Sequence, residues 1–209
     1  MKKLLILLSF ATITASCSDD DTVAPQEEPF FNLEVGNKWV YKRYNQNGPN
    51  EEYVFSGVTD TVKVTGQHVI EGENYYVLHH TGAAIGALDE QNNEYVRVNE
   101  NGHLVKPNGI VKHPGGDTNY HYTDYPGAPA TPFGIVEYQL LPLQEISVEG
   151  SNYLVYSYSG YFTPIENSGP QGIGHVVNYQ PGLGIVSEKS RFVSADWYFE
   201  NRLVSYELN

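Results

Sequence analysis

The sequence predicts an all-β fold, a curved antiparallel sheet of half-barrel or sandwich-like form, and three observations predict it. Apolar and polar residues alternate in short runs from Asn37 to Leu208, the period-two pattern of strands with one buried face. Clusters of Gly, Asn, Pro and Asp separate the runs, as turns require. Only residues 83–91 (AAIGALDEQ) read as helix, and Gly86 interrupts even that stretch.

Taken in order, residues 37–44 (NKWVYKRY) open the series, with Gly36 before them and a turn at 45–50 after them. Residues 52–55 (EYVF) and 61–65 (TVKVT) follow. Residues 69–70 and 75–78 (YYVL) flank the turn Glu71-Gly72-Glu73-Asn74 and read as a hairpin. So do 94–98 (EYVRV) and 103–106 (HLVK), which turn at 99–102 (NENG). Residues 107–134 are dense in Gly, Pro and Tyr and read as a long ordered loop, a kind of segment that often carries function. Strands resume at 135–138, 145–148, 153–158, 175–179 and 184–187. The chain closes with 197–199 (WYF), a turn at Glu200-Asn201, and 203–208 (LVSYEL). A motif recurs at an offset of 78: Glu71-Gly72-x-Asn74-Tyr75-x-Val77 with Gly82 returns as Glu149-Gly150-x-Asn152-Tyr153-x-Val155 with Gly160. Duplication of half a β structure would produce this, and so would one good hairpin recipe used twice.

The first residues are of another kind. Met1-Lys2-Lys3 is a short positive segment, residues 4–11 (LLILLSFA) form a compact apolar run, and Thr14-Ala15-Ser16 leads to Cys17, the only cysteine. This is the layout of a secretory signal peptide, whose apolar run is too short to span a bilayer. Thr14-Ala15-Ser16-Cys17 resembles a lipobox, in which the cysteine thiol receives a diacylglycerol before cleavage just ahead of it. Leu usually stands where Thr14 does, and Gly or Ala where Ser16 does, so an ordinary cut near Ser16 is the competing reading. The position of the lone cysteine favours lipidation. Two or three acyl chains, palmitate among them, would anchor the mature chain to the membrane without a spanning segment. Ser18-Asp19-Asp20-Asp21 resembles the acidic export signal of Bacteroidota surface lipoproteins, which implies display at the cell surface on the outer membrane. The bland alternative is that these acids merely solvate a linker.

Composition sets further bounds. Residues 1–16 read as signal peptide, 17–29 as the lipidated cysteine and an acidic tether, and 30–209 as a single β domain. Loss of Lys2 and Lys3 takes the formal charge from −13 to −15. So anionic a chain gains no counterion release from a nucleic acid, and none is expected as partner. With Cys17 acylated no cysteine remains, so neither disulfides nor cysteine catalysis are expected. Residues 36–41 (GNKWVY), with Gly182-Leu183-Gly184-Ile185-Val186 late in the chain, resemble uncharacterised bacterial secreted β domains that open on a "GNxWxY" strand. The resemblance implies a curved antiparallel sheet and assigns no activity.

The candidate sites are few. His79 and His80 are adjacent on a strand, so they point to opposite faces and do not easily share an ion. His113, Asp117 and His121 have metal-ligand chemistry, but Pro114, Gly115 and Gly116 argue against the helix that would align them; a loop could still fold them around zinc. Asp196 and Glu200 in one strand would stand about 13 Å apart, too far for the roughly 5–10 Å of a glycosidase pair. No serine elbow, HExxH, P-loop or dinucleotide fingerprint occurs, and no catalytic residue or cofactor is expected. Seventeen tyrosines stand out. Tyr120, Tyr122 and Tyr125 in the loop suit either packing or a stacking surface for a glycan or an envelope protein. The favoured expectation is a non-enzymatic binding domain, signalled by an open sheet with exposed tyrosines. Clustered buried carboxylates would instead signal a hydrolase of extracellular polymer, and an apolar cavity a lipid carrier.

Overall fold

The computed structural model describes residues 29–48, 50–82, 88–128, 131–165, 171–191 and 197–209. The signal segment, Cys17 and Ser18-Asp19-Asp20-Asp21 lie outside the described residues, as does Asp196. Among the described residues there is no helix, and fifteen strands form: β1 Lys38–Gln46, β2 Val54–Ile70, β3 Glu73–His80, β4 Asn93–Val98, β5 Leu104–Val105, β6 Val111–His113, β7 His121–Asp124, β8 Gly127–Ala128, β9 Thr131–Pro132, β10 Gly134–Leu140, β11 Gln144–Val148, β12 Ser151–Pro164, β13 Gly172–Gln180, β14 Gly184–Arg191 and β15 Tyr198–Glu207. Thirteen belong to one antiparallel sheet in the order β6-β5-β4-β3-β2-β1-β15-β14-β13-β12-β10-β7, with β11 beside β12; β8 and β9 pair separately.

This order is an up-and-down meander with the first strand in the middle, since β1 pairs with β2 on one side and with the last strand, β15, on the other. The two edges, β6 and β7, are consecutive in the chain and joined by residues 114–120. The sheet therefore curls into a half-barrel whose edges face each other across a seam. Register shifts at Val40/Tyr41, Lys42/Tyr44, Val64/Gly66, Gly160/Tyr161 and Asn178/Tyr179 supply the bend, because each bulge raises the local twist.

Alternation fills the inside of the curl. Trp39 and Tyr41 of β1, Val62 and Val64 of β2, Leu78 of β3 and Val96 of β4 are buried in one cluster with Phe31, Leu33, Leu104, Tyr179 and Leu183. The two late-and-early sequence motifs meet here. Trp39 Nε1 donates to the Leu183 carbonyl at 2.7 Å, and Tyr41 Oη donates to the Ile185 carbonyl at 2.9 Å. "GNxWxY" and "GLGIV" are thus the two halves of one contact, with both buried polar tips satisfied.

β12 is long enough to take β11 along its first half and β10 along its second. The β11–β12 turn brings Glu149 to Arg202 of β15 at 3.5 Å, while Gln144, Ser157, Asn178 and Ser187 form a hydrogen-bond chain across the sheet.

Four sequence expectations change in detail. The described residues of the stretch 107–134 carry four short strands where a loop is expected, among them both sheet edges. Residues 52–55 and 61–65 fall within or beside a single 17-residue strand, β2. Glu200-Asn201 is not a turn: β15 runs through it, held on both sides by β1 and β14. Residues 88–91, the described part of the expected helix, approach a turn in which the Asp89 carboxylate accepts from the backbone N–H groups of Gln91 and Asn93. The side chain thereby supplies the bonds that a helix would have used.

Candidate functional site

Several strands place an ionisable residue where the alternation demands an inward side chain. Asp60 precedes Val62 and Val64 by steps of two on β2, His80 follows Leu78 on β3, and Glu94 precedes Val96 on β4. All three are buried. Asp60 Oδ2 lies 2.7 Å from His80 Nδ1, and Asp60 Oδ1 accepts from the backbone N–H groups of Thr81 and Gly82. His80 Nε2 stands 3.8 Å from Glu94 Oε2, within ion-pair range but beyond hydrogen-bond length. Lys112 Nζ donates to Glu94 Oε2 at 2.5 Å, and Lys106 Nζ lies 3.1 Å from Glu94 Oε1, off the direction of a hydrogen bond. His80 Nε2 and Glu94 Oε1 are therefore buried without a hydrogen-bond partner among the described residues.

Mutual compensation fixes the charge states. Burial opposes ionisation of Asp60, but its bond to His80 and the Gly82 and Thr81 amides outweigh this and hold the carboxyl low. Burial likewise opposes Glu94, yet Lys112, His80 and Lys106 together hold it well below the carboxylate range. For His80 burial favours the neutral ring, and the two carboxylates overcome it and raise the pKa. Lys112 is raised in the same way, burial losing to Glu94 and Glu188.

Asp60, His80, Glu94 and Lys112 border a cavity of about 60 Å³ together with Glu188, Asn201 and apolar residues that include Leu33, Val62, Leu78 and Leu104. Lys112 and Glu188 also line a second cavity of about 140 Å³, which opens at the seam between β6 and β7. Its floor is a ladder of tyrosines. Tyr122 on β7 is 43% exposed, and its ring centre is 6.0 Å from Tyr138 on β10. Tyr138 stacks at 5.2 Å on Tyr158 of β12, which is buried. Burial, aided by Asp124, pushes the Tyr138 hydroxyl up to about 12, and burial holds Tyr158 higher still, so both remain neutral donors. Lys106, Asp124, His175 and Glu188 complete the wall, with His175 Nε2 3.1 Å from Glu188 Oε1. Among the described residues that line the two cavities there is no serine, threonine or cysteine.

The loop residues expected to act together do not do so. His113 is fully buried at the end of β6, packed among Phe30, Phe31, Tyr158 and Tyr179. Its Nδ1 accepts from Gly115 N–H, and its Nε2 lies 3.4 Å from the Tyr156 carbonyl. Burial, the main cause, pushes its pKa down to about 3. Asp117 lies 3.3 Å from His103, and His121 is exposed on β7. No three His, Cys, Asp or Glu side chains gather into a metal site among the described residues, so His113, Asp117 and His121 are separated by the fold. Tyr120 packs edge-on against His103 and tilts onto Tyr158. Tyr125 is exposed, and Tyr122 alone of the three lines the seam cavity. His79 bonds Asn93 on the face opposite His80.

Sequence reasoning missed Asp60, His80, Glu94, Lys106, Lys112 and Glu188 as a group. The available signal was period two: an acid or histidine two residues from a core valine or leucine points the same way as that residue.

No family model matches the chain, and no curated protein matches it. Three solved structures resemble it. A protein from Bacteroides fragilis named as exported, with a YmcC-like fold, has 12% identity and a TM-score of 0.43 over 86% of this chain and 99% of its own. A protein from Parabacteroides distasonis named as a lipoprotein has 11% identity and a TM-score of 0.33 over 87% and 100%. A Vibrio parahaemolyticus domain named for outer membrane lipoprotein sorting has 8% identity and a TM-score of 0.18 over 83% and 85%.

Proposed function

We propose that the chain is a lipid-anchored cell-envelope protein whose half-barrel binds a ligand at its seam and catalyses no reaction on it. The observation that carries the binding reading is the tyrosine ladder of Tyr122, Tyr138 and Tyr158, which runs from the surface into a cavity with charged walls. Concave sites that combine aromatic surface with a few polar groups are the usual form of small-molecule sites. Anchoring rests on Cys17 and the residues around it, with 1–16 removed, 17–29 as tether and 30–209 as the binding domain. Ser18-Asp19-Asp20-Asp21 favours the outer membrane's outward face, where a glycan or another envelope protein would be met.

The alternatives fit less well. Carboxylates do cluster, as a hydrolase would need, but a glycosidase keeps one carboxyl protonated as acid. Asp60 and Glu94 are both held ionised, by His80 and the backbone and by Lys112 respectively. A lipid carrier needs an apolar chamber, and the 60 Å³ interior has room for about two water volumes beside four or five charged groups.

Two experiments test the proposal. Intact mass with protease shaving of whole cells, on wild type and Cys17→Ala, tests the anchor: a lipid mass gain lost in the variant, with shaving of intact cells, supports it. An unmodified product cut near Ser16 and released overturns it. A ligand-observed NMR screen of mixed sugars, apolar fragments and short peptides tests the site. Hits weakened by Tyr122→Ala support seam binding, and a screen in which no hit responds to that variant overturns it.

A further inference from the structure

We propose that the ligand of the seam is an uncharged, hydroxyl-rich ring, a neutral sugar unit; this rests on the reading of the seam as a binding site. Two lysines on the cavity wall, Lys106 and Lys112, suggest an anion at first sight. Glu94 offsets one of their charges, because it stands between them, 2.5 Å from Lys112 Nζ and 3.1 Å from Lys106 Nζ. Each ammonium keeps further N–H groups to donate, but one of the two positive charges is already matched. Asp124 and Glu188 add two more carboxylates to the same wall, which makes three against two ammoniums, with His175 bonded to Glu188. An anion entering here would meet carboxylates whose charge the lysines do not offset, a cost that specificity by repulsion exploits.

A neutral hydroxyl meets no such penalty. It can donate to Glu188 or Asp124 and accept from Lys106, Lys112 or a tyrosine Oη in one step, since each hydroxyl carries both capacities. The wall offers both kinds of group within one cavity of about 140 Å³. The apolar C–H face of the ring would lie on Tyr122, whose 43% exposure leaves ring surface open at the mouth. The small volume favours one sugar unit inserted end-on over a chain laid along the sheet.

The full mature chain is titrated with methyl glucoside, methyl galactoside and N-acetylglucosamine, and separately with glucuronate and galacturonate, while tyrosine ring signals are followed by NMR. The expected result is that at least one neutral sugar shifts the ladder tyrosines and that its uronate counterpart binds about tenfold more weakly or not at all. Asp124→Asn is expected to narrow that gap by admitting the uronates, and Tyr122→Ala to weaken both. Uronates that bind as well as or better than neutral sugars, with Tyr122→Ala still weakening them, overturn the ligand class and leave the seam site standing. Absence of response to either series overturns the inference too; the fragment and peptide screen then decides separately whether the seam binds anything.

Discussion

At the scale of single residues, the interior charge network is the feature most exposed to test. Glu94 is shared by Lys112 and Lys106 and faces His80, all inside the curl. Removing one member of a buried ion pair leaves its partner uncompensated and typically costs about 3–5 kcal/mol, whereas replacing both with apolar groups is often near neutral. Glu94→Gln is therefore expected to lower stability by about that amount in urea denaturation, and Glu94→Gln with Lys112→Met to recover most of the loss. If the double variant is as unstable as the sum of its parts, the two residues are not coupled. A second residue-scale test concerns Gly160, which faces Tyr138 across the β10–β12 pair. A Cβ there would stand 2.6 Å from the Tyr138 ring, so glycine is what lets the ring lie flat against the strand and stack on Tyr158. Gly160→Ala is expected to push the ring outward at a cost of about 1–3 kcal/mol and to abolish seam binding, read by thermal melting and by the Tyr138 NMR signal.

At the scale of elements, the two related hairpins are instructive. In both, a two-residue turn places Glu and then Gly at positive φ: Glu71 and Gly72 between β2 and β3, Glu149 and Gly150 between β11 and β12. This is the geometry that matches strand twist, and Asn tolerates its first position better than Glu. Glu71→Asn should therefore stabilise by about 0.5–1 kcal/mol, measured as a rise in melting temperature. Glu149→Asn should gain less, because it forfeits the contact with Arg202. Equal gains would mean that this contact contributes nothing. The shared turn geometry accounts for the Glu-Gly pair that opens the recurring motif.

At the scale of the whole molecule, pH reads out the burial of histidines in opposite senses. His113 has its folded pKa pushed down to about 3, so between there and about 6.5 the unfolded chain binds the extra proton. Stability is then expected to fall as pH drops below about 6.5, by up to about 1.4 kcal/mol per pH unit from this group. His80 has its folded pKa raised, so its contribution is full below about 6.5 and is lost as pH rises through the folded value. Asp60 and Glu94, both depressed, lose their contribution only as pH falls from about 4 through their folded values. Chemical denaturation from pH 4 to 9 should thus give a maximum near neutrality. His113→Phe should flatten the acid side down to pH 4; an unchanged acid limb would show that His113 is not the group responsible.

The sequence by itself determined the strand alternation, a turn that begins at Glu71-Gly72, and the all-β class, because each depends on residues near one another in the chain. The tertiary structure decided that β1 lies mid-sheet between β2 and β15 and that the curl brings β6 against β7. It also united Asp60, His80, Glu94 and Lys112 from four strands, and set Tyr122 beside Tyr138 and Tyr158 while burying His113 away from His121. Period two fixes which side of a strand a residue faces. Which residues meet on that side depends on sheet order and curvature, and these are set by pairings between strands as far apart as Trp39 and Tyr206.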